Sequence, residues 1–193
     1  MRLVLHAIAA AASAAAMAAM AAGDPVAGEA KAQVCVQCHG PGGNSTSAEF
    51  PSLAAQPPLY VQYQLIQFRE ERRKDPRMSP FAAKLTDADM KDLGAYFSQQ
   101  KLTPPAVTPD AAKAEAGRAI AQSMHCNSCH KPDFSGQQHI ARLAGQHEAY
   151  LVKELRGFKT GARPDIDGNM ASAAQPLTDA DILNVAHYLA AYR

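Results

Sequence analysis

The 193-residue sequence predicts an all-α protein made of two helical units in tandem. Apolar residues recur at helical spacing, and no segment shows the sustained polar and apolar alternation that is typical of strands. An internal repeat provides the second observation, because Leu85-Thr86-Asp87-Ala88-Asp89 recurs 92 positions later as Leu177-Thr178-Asp179-Ala180-Asp181. Each half is therefore a complete unit of about 80 residues, below the usual size of a self-sufficient domain.

The first segment, residues 1–22, has the pattern of a secretory signal peptide. Arg2 supplies the positive start, an Ala-rich apolar run follows, and Ala19-Met20-Ala21 offers the small residues of a cleavage site. An uncleaved membrane anchor is the alternative, because the run approaches the roughly 20 residues that span a bilayer. Alanine is a weak membrane residue, which favours cleavage and export.

Composition argues against one class of function. Without the leader, 18 basic residues balance 18 acidic residues, so the mature chain is formally neutral. It has no polybasic segment, and nucleic acid is therefore not an expected partner.

The repeat and the proline content predict the domain boundaries. Residues 23–98 form the first domain and residues 113–193 form the second. The linker, residues 99–112, contains Pro104 and Pro105 and lacks apolar periodicity. This composition predicts an extended, semi-rigid connection between the domains.

Two helices of each domain can be assigned from the sequence. The last helix of each domain begins at a threonine N-cap followed three residues later by aspartate, which is a capping box: Thr86 with Asp89, and Thr178 with Asp181. Apolar residues at helical spacing mark the faces that we expect to be buried: Val61, Leu65, Phe68, Met90, Leu93 and Phe97 in the first domain, and Leu151, Leu155, Phe158, Ile182, Val185 and Leu189 in the second.

All four cysteines belong to two Cys-x-x-Cys-His motifs, Cys35-Val36-Gln37-Cys38-His39 and Cys126-Asn127-Ser128-Cys129-His130. In this motif the two thiols form thioethers with the vinyl groups of haem, and the adjacent histidine binds the iron. The sequence therefore predicts two covalently bound haem c groups, with His39 and His130 as axial ligands of the irons.

Three alternatives account for the cysteines less well. Two disulfides would be typical of four cysteines in a small exported chain. The cysteine pairs of a zinc site usually lie roughly 15–20 residues apart, whereas 88 positions separate Cys38 from Cys126. A thioredoxin-like pair would lie near a βαβ pattern, which is lacking here. Equivalent placement of both motifs in a duplicated, exported, helical chain favours haem.

A second axial ligand is expected at equivalent places in both halves, and methionine meets this condition. Met78 precedes Leu85 by seven residues, and Met170 precedes Leu177 by seven residues, both in Pro- or Gly-containing loops. Each iron is therefore predicted to have His/Met ligation, which raises the reduction potential. Histidine in place of methionine at one iron is the alternative.

Each ligand histidine also needs a partner for its second ring nitrogen, because such a hydrogen bond fixes the orientation of the ring. Pro51, twelve residues after His39, is a candidate to offer its carbonyl. Ala141 occupies the equivalent place in the second half, where a backbone carbonyl could serve equally well.

The chain resembles the diheme cytochrome c4 family over essentially its whole mature length. The resemblance rests on these segments: Cys35-x-x-Cys38-His39-Gly40, Gly43-Asn44-Ser45, Phe50-Pro51-x-Leu53-Ala54-x-Gln56, Met78, the second Cys-x-x-Cys-His motif, Leu143-Ala144-Gly145-Gln146 and Met170. The second half departs from the first in having Lys131 in place of Gly40 and in lacking a Gly-Asn-Ser loop.

The resemblance implies two tandem class I cytochrome c-like haem domains, related by a pseudo-twofold axis and joined by the Pro-rich linker. Such proteins are periplasmic electron carriers rather than enzymes, and some associate loosely with the membrane. They commonly carry electrons from a cytochrome bc complex to a terminal oxidase. The alternative is the diheme subunit of a dehydrogenase such as flavocytochrome c sulfide dehydrogenase. A diheme peroxidase or gas sensor would need one iron without its methionine.

Overall fold

A computed structural model describes residues 23–165 and 167–193, so the predicted signal peptide lies outside the described residues. Within these ranges the regular secondary structure consists of helices, and the one β contact is an isolated bridge between Gln137 and Ile140, which confirms the all-α prediction. The helices of the first half are α1 Pro25–Ala32, α2 Val36–His39, α3 Pro58–Arg69, α4 Ser79–Ala82 and α5 Asp87–Gln99. Those of the second half are α6 Ala111–Ser123, α7 Cys126–His130, α8 Glu148–Thr160, α9 Asn169–Ala174 and α10 Asp179–Ala191.

The two halves repeat the same helix packing. In the first half, α1 and α3 both pack against α5. In the second half, α6 and α8 pack against α10 in the same way. A glycine allows each crossing, because a Cβ added to Gly28 or Gly117 would lie 2.1 Å from a carbonyl oxygen of the opposite helix. The close approach of these backbones therefore requires residues without side chains.

Both predicted capping boxes are present. The Thr86 hydroxyl accepts a hydrogen bond from the Asp89 N–H, and the Asp89 carboxylate accepts one from the Thr86 N–H. Thr178 and Asp181 repeat these contacts at the start of α10. The start of the last helix in each half is thus determined by local sequence.

The buried faces of the long helices agree with the predicted ones. Leu93 and Phe97 of α5 lie in the core of the first half with Val61 of α3. Ile182, Val185 and Leu189 of α10 are the corresponding residues in the second half, where Leu151 of α8 joins them. Leu65 and Leu155 are only partly buried and pack against the edges of these two cores.

The segment between α5 and α6 has no regular secondary structure over residues 101–110. It is nevertheless attached to both halves. Asn44 of the first half binds it twice, through the Thr103 N–H at 2.6 Å and the Lys101 carbonyl at 3.0 Å. In the second half, Arg193 donates a hydrogen bond to the Pro105 carbonyl at 3.2 Å. The exact domain boundaries stay a prediction.

Among the described residues, no helix combines the length and the apolar character that crossing a membrane requires.

Candidate functional site

The first half contains a cavity of about 340 Å³ that brings three of the predicted site residues together. Cys35, His39 and Met78 all line it, whereas Cys38 does not. Helix α2 places Cys35 at its N-cap and His39 at its last position. The helix ends there because Gly40 has a φ of 75° and a ψ of 167°, outside the helical region.

His39 is held with one ring nitrogen free. Its Nδ1 lies 2.8 Å from the Pro51 carbonyl oxygen, and because a carbonyl only accepts, Nδ1 must be the donor. The buried Nε2 has no hydrogen-bond partner among residues 23–165 and 167–193. Burial also lowers the pKa of His39, which favours the neutral ring. The Pro51 contact is confirmed, and Nε2 is left with the lone pair that a metal ligand needs.

The second half repeats this arrangement around a cavity of about 250 Å³. Cys126, Cys129, His130 and Met170 all line this cavity. His130 Nδ1 lies 2.8 Å from the Ala141 carbonyl oxygen, which confirms the expected backbone partner. Burial lowers the pKa of His130 as well, so its ring is neutral near pH 7.

Lys131 follows His130 in the backbone conformation that Gly40 adopts in the first half, with a φ of 68° and a ψ of 161°. This region is strained for a residue that has a Cβ. The fold of the haem motif therefore requires this conformation in both halves, whether or not glycine occupies the position.

An aspartate anchors the loop of each predicted methionine ligand. Asp75 accepts hydrogen bonds from the N–H groups of Arg77 at 2.9 Å and Met78 at 3.3 Å. Burial alone would raise the pKa of Asp75, but these N–H groups and two nearby positive charges together more than offset burial, and the pKa is lowered. In the second half, Asp165 accepts from the Met170 N–H at 2.5 Å. The methionine backbone is thus fixed beside each cavity.

The four cysteines are unpaired, so each thiol is available to form a thioether. Within each motif the two cysteines stand three residues apart on one short helix, which brings their side chains to neighbouring positions. Burial raises the pKa of the Cys35 and Cys126 thiols, so both are protonated near pH 7.

The two cavities lie back to back. Five residues line both of them: Gln56, Tyr60, Gln64, Gln146 and Tyr150. These residues form a shared wall one layer of side chains thick. Redox groups held in the two cavities would therefore be close neighbours.

Beside the shared wall lies a buried group of charges, which we call the interface cluster: Arg73, Glu154, Arg163 and Gln64. Glu154 accepts from Arg73 at 2.9 Å and from Arg163 at 2.5 Å, and all three charged side chains are at most 12% exposed. Gln64 accepts from the same two arginines, at 2.6 and 3.1 Å. One carboxylate and one amide oxygen thus serve two guanidinium groups from different domains.

The environment of Arg142 shows that the second cavity suits a ligand with negative charge, as haem has. Its side chain lines this cavity and is buried, and one nitrogen donates to the Ala144 carbonyl. Nε and Nη2 have no hydrogen-bond partner in the part of the chain that the structure describes. Burial lowers the pKa of Arg142 to about 10. Buried guanidinium groups need an anion, and haem carries two carboxylates. With the partnerless Nε2 of His39 in the first half, this donor set fits covalently bound haem.

Neither Arg142 nor the interface cluster is predicted from the sequence. The only available signal was the repeat, because Arg73 and Arg163 stand at equivalent places 90 positions apart. Arginines in a polar segment are usually exposed to solvent. Their equivalent places in the repeat therefore do not indicate that they are buried.

Comparisons with known proteins agree with this geometry. A family model for cytochrome c matches residues 114–192, and one for cytochrome c oxidase, cbb3-type, subunit III matches residues 14–97. Cytochrome c4 from Thiocapsa roseopersicina is 41% identical over 177 residues, which span 86% of this chain and 92% of the relative. Cytochrome c4 from Pseudomonas aeruginosa is 38% identical, spanning 88% and 89%.

The crystal structure of reduced recombinant cytochrome c4 from Pseudomonas stutzeri superimposes with a TM-score of 0.82 at 32% identity, covering 89% of this chain and 100% of the other. A relative named thiosulfate dehydrogenase electron acceptor, from Thiomonas intermedia, is 34% identical over 172 residues, which span 83% of this chain and 79% of the relative. The chain therefore belongs to the cytochrome c4 family, as an electron-transfer protein whose two cytochrome c domains each carry one haem c.

Proposed function

We propose that His39 with Met78, and His130 with Met170, are the axial ligands of the two irons. The observation that carries this proposal is that each methionine lines the same cavity as the histidine of its own half. When bound, the haems supply a one-electron Fe(III)/Fe(II) couple. The chain holds each ligand on a fixed backbone beside a cavity whose lining is mainly apolar.

The ligand proposal is tested with Met78→Ala and Met170→Ala. The reduced wild-type protein is expected not to respond to carbon monoxide, because both irons are six-coordinate. In each variant one of the two haems should bind carbon monoxide, and the potential of that haem should fall. Optical spectra before and after carbon monoxide, with haem quantified per chain, measure both effects.

Met90→Leu is the matched control, because Met90 is fully buried in the first domain and lines neither cavity. It should leave the spectra and both potentials unchanged. Unchanged spectra in Met78→Ala and Met170→Ala would contradict the ligand assignment. Binding of carbon monoxide by the wild type would instead favour a catalytic or sensing haem.

We infer that the protein carries electrons from a cytochrome bc complex to a terminal oxidase. Its family membership supports the role of an electron carrier. Two neighbouring haem irons with six ligands each can pass electrons but have no free position for a substrate. A second role is acceptor for a dehydrogenase, either a thiosulfate dehydrogenase, as the name of the Thiomonas relative suggests, or a flavocytochrome c sulfide dehydrogenase.

Reduction rates distinguish these partners. The oxidised protein is mixed in turn with a purified cytochrome bc complex and with each dehydrogenase, and its reduction is followed optically at modest salt. Faster reduction by the bc complex supports the respiratory role, whereas faster reduction by a dehydrogenase replaces it. Stable co-purification with a dehydrogenase would support the subunit role.

The periplasm is the proposed location, with residues 1–22 removed on export. The pattern of the leader supports this proposal. Fractionation of the native host, followed by mass measurement of the purified chain, tests it. Release by osmotic shock without the leader is the expected result, and release only after a salt wash of membranes would indicate loose membrane association. Retention of the leader in detergent-solubilised membranes would favour an anchor.

A further inference from the structure

Two buried glutamines each bind both the backbone N–H and the backbone carbonyl of one residue in the other domain. Gln146, in the second domain, donates from Nε2 to the Ser52 carbonyl at 2.9 Å, and its Oε1 accepts from the Ser52 N–H at 2.8 Å. Gln56, in the first domain, makes the reciprocal pair with Arg142, at 3.0 and 2.9 Å. The glutamines are 2% and 3% exposed, so water does not compete for these bonds.

The peptide group whose N–H donates to each glutamine also accepts, through its carbonyl, the hydrogen bond of a haem histidine. The Ser52 N–H and the Pro51 carbonyl belong to one peptide group, and that carbonyl lies 2.8 Å from His39 Nδ1. In the second domain, the peptide group between Ala141 and Arg142 stands in the same relation to the other haem histidine. A chain of hydrogen bonds therefore runs from a glutamine of one domain to the histidine of the other.

We propose that Gln146 tunes the basicity of His39 and that Gln56 tunes the basicity of His130. Each domain thereby adjusts the reduction potential of the haem in the other domain. Both glutamines are positioning residues that act through a histidine. The proposal rests on the proposed binding of the irons by the two histidines.

The direction of the effect follows from polarisation along the chain. A peptide N–H that donates a hydrogen bond makes its own carbonyl a stronger acceptor, because consecutive hydrogen bonds polarise one another. A stronger acceptor for Nδ1–H raises the basicity of the ligand nitrogen. A more basic ligand favours the ferric iron, so each glutamine lowers the potential of the haem across the interface.

Gln146→Met and Gln56→Met test the proposal, because methionine keeps the length of the side chain and removes both polar atoms. Gln146→Met is expected to raise the potential of the first haem by more than that of the second, and Gln56→Met is expected to do the opposite. Spectroelectrochemical titration gives the two potentials, and NMR contacts with residues of each domain identify the haems.

This crossed pattern separates the proposal from a direct effect on the haems. Both glutamines line both cavities, so simple loss of a nearby dipole would shift the two potentials together. His147→Leu is the control for a loosened interface. It removes a buried hydrogen bond, 2.9 Å long, between His147 Nε2 and the Ser45 carbonyl of the other domain. The backbone N–H of His147 also donates to Gln146 Oε1, at 3.0 Å, and this substitution leaves that N–H in place. The difference between the two potentials should stay unchanged in this variant.

NMR of the ¹⁵N-labelled protein distinguishes failure of this proposal from failure of the ligand assignment. In the oxidised protein, a paramagnetic shift of the His39 Nδ1–H shows that the ring binds iron, whatever the glutamine does. In the reduced protein, the same resonance should move upfield in Gln146→Met as its hydrogen bond weakens. A paramagnetically shifted resonance with no change between wild type and variant would overturn the tuning proposal alone.

Equal shifts of both potentials, or a larger shift of the second haem in Gln146→Met, would also overturn it. Should Gln146→Met separate the domains, Gln146→Glu provides the second test, because a carboxylate still accepts from the Ser52 N–H and does so more strongly. The potential of the first haem should then fall by more than that of the second. A rise of the first potential would refute the proposal.

Discussion

Replacing Glu154 by glutamine is expected to lower the free energy of unfolding by about 3 kcal/mol. Breaking a buried ion pair by removing one partner typically costs about 3–5 kcal/mol, because a charge is left buried without compensation. Glu154 lies 2.9 Å from Arg73 and 2.5 Å from Arg163, and it is 7% exposed. Glutamine keeps one oxygen that can accept a hydrogen bond, which places the expected cost near the lower end of that range.

The interface cluster also offers a charge exchange that tests this explanation. Gln64 stands where Glu154 stands in the other half and already accepts hydrogen bonds from the same two arginines. In the double variant Glu154→Gln with Gln64→Glu, the carboxylate is moved across the interface and the net charge is kept. We expect the double variant to lie within about 1 kcal/mol of the wild type, as coupling between residues in one network implies.

Urea unfolding followed by far-UV circular dichroism measures these changes, with a shifted midpoint at constant slope read as altered stability. The single variant Gln64→Glu completes the cycle. A Glu154→Gln protein within about 0.5 kcal/mol of the wild type would refute the role assigned to the carboxylate, since surface substitutions give changes of that size. Additive effects in the double variant would show that the two positions do not share the arginines.

Two further predictions concern the backbone of the haem motif and the acid limb of stability. Lys131→Gly should stabilise the protein by about 1 kcal/mol in thermal unfolding, because glycine adopts the observed positive φ without strain. Gly40→Ala is the reverse change and should destabilise the protein. A neutral or destabilising effect of Lys131→Gly would contradict the explanation by backbone strain. Hydrogen bonds from Lys31 and Thr86 lower the pKa of Asp89 to about 2, so the stability that this carboxylate contributes is present above its unfolded pKa near 4 and is lost as the pH falls toward 2. Asp89→Asn should therefore flatten the dependence of the urea midpoint on pH below about pH 4. The flattening should exceed that of Asp181→Asn, because Thr178 lowers the pKa of Asp181 by hydrogen bonding and Lys159 adds only its charge, without the hydrogen bond that Lys31 makes with Asp89. Equal flattening would refute the contribution of the Lys31 hydrogen bond.

The features that the sequence predicted correctly are those whose physical cause lies in a short stretch of chain. The capping box at Thr86 is made by residues three apart, and the backbone partner of His39 follows from a motif twelve residues long. Helix α1 escaped detection because Gly28 and the alanines around it bury little apolar surface and leave no clear stripe. Its place is set by close contact with α5, which the local pattern does not encode.

The interface cluster illustrates a second limit. Glu154 lies on helix α8 among charged residues, where a solvated role is the ordinary expectation. Its burial depends on Arg73, 81 positions earlier, and on the docking of two domains. Long-range pairing of charges has no periodicity, so neither hydropathy nor spacing could reveal it. The repeat could place the arginines at equivalent positions but could not bring them together.

The polar domain interface implies an order of folding. Helix packing joins elements of the same half, whereas the hydrogen bonds of Gln56 and Gln146 join residues 86 and 94 positions apart. Contacts of short sequence separation close first, because the entropic cost of loop closure is lower. Each domain can therefore complete its own core before the two dock. The wall shared by the haem cavities is the part of the molecule that is assembled last, and water reaches its polar bonds only when the two domains separate.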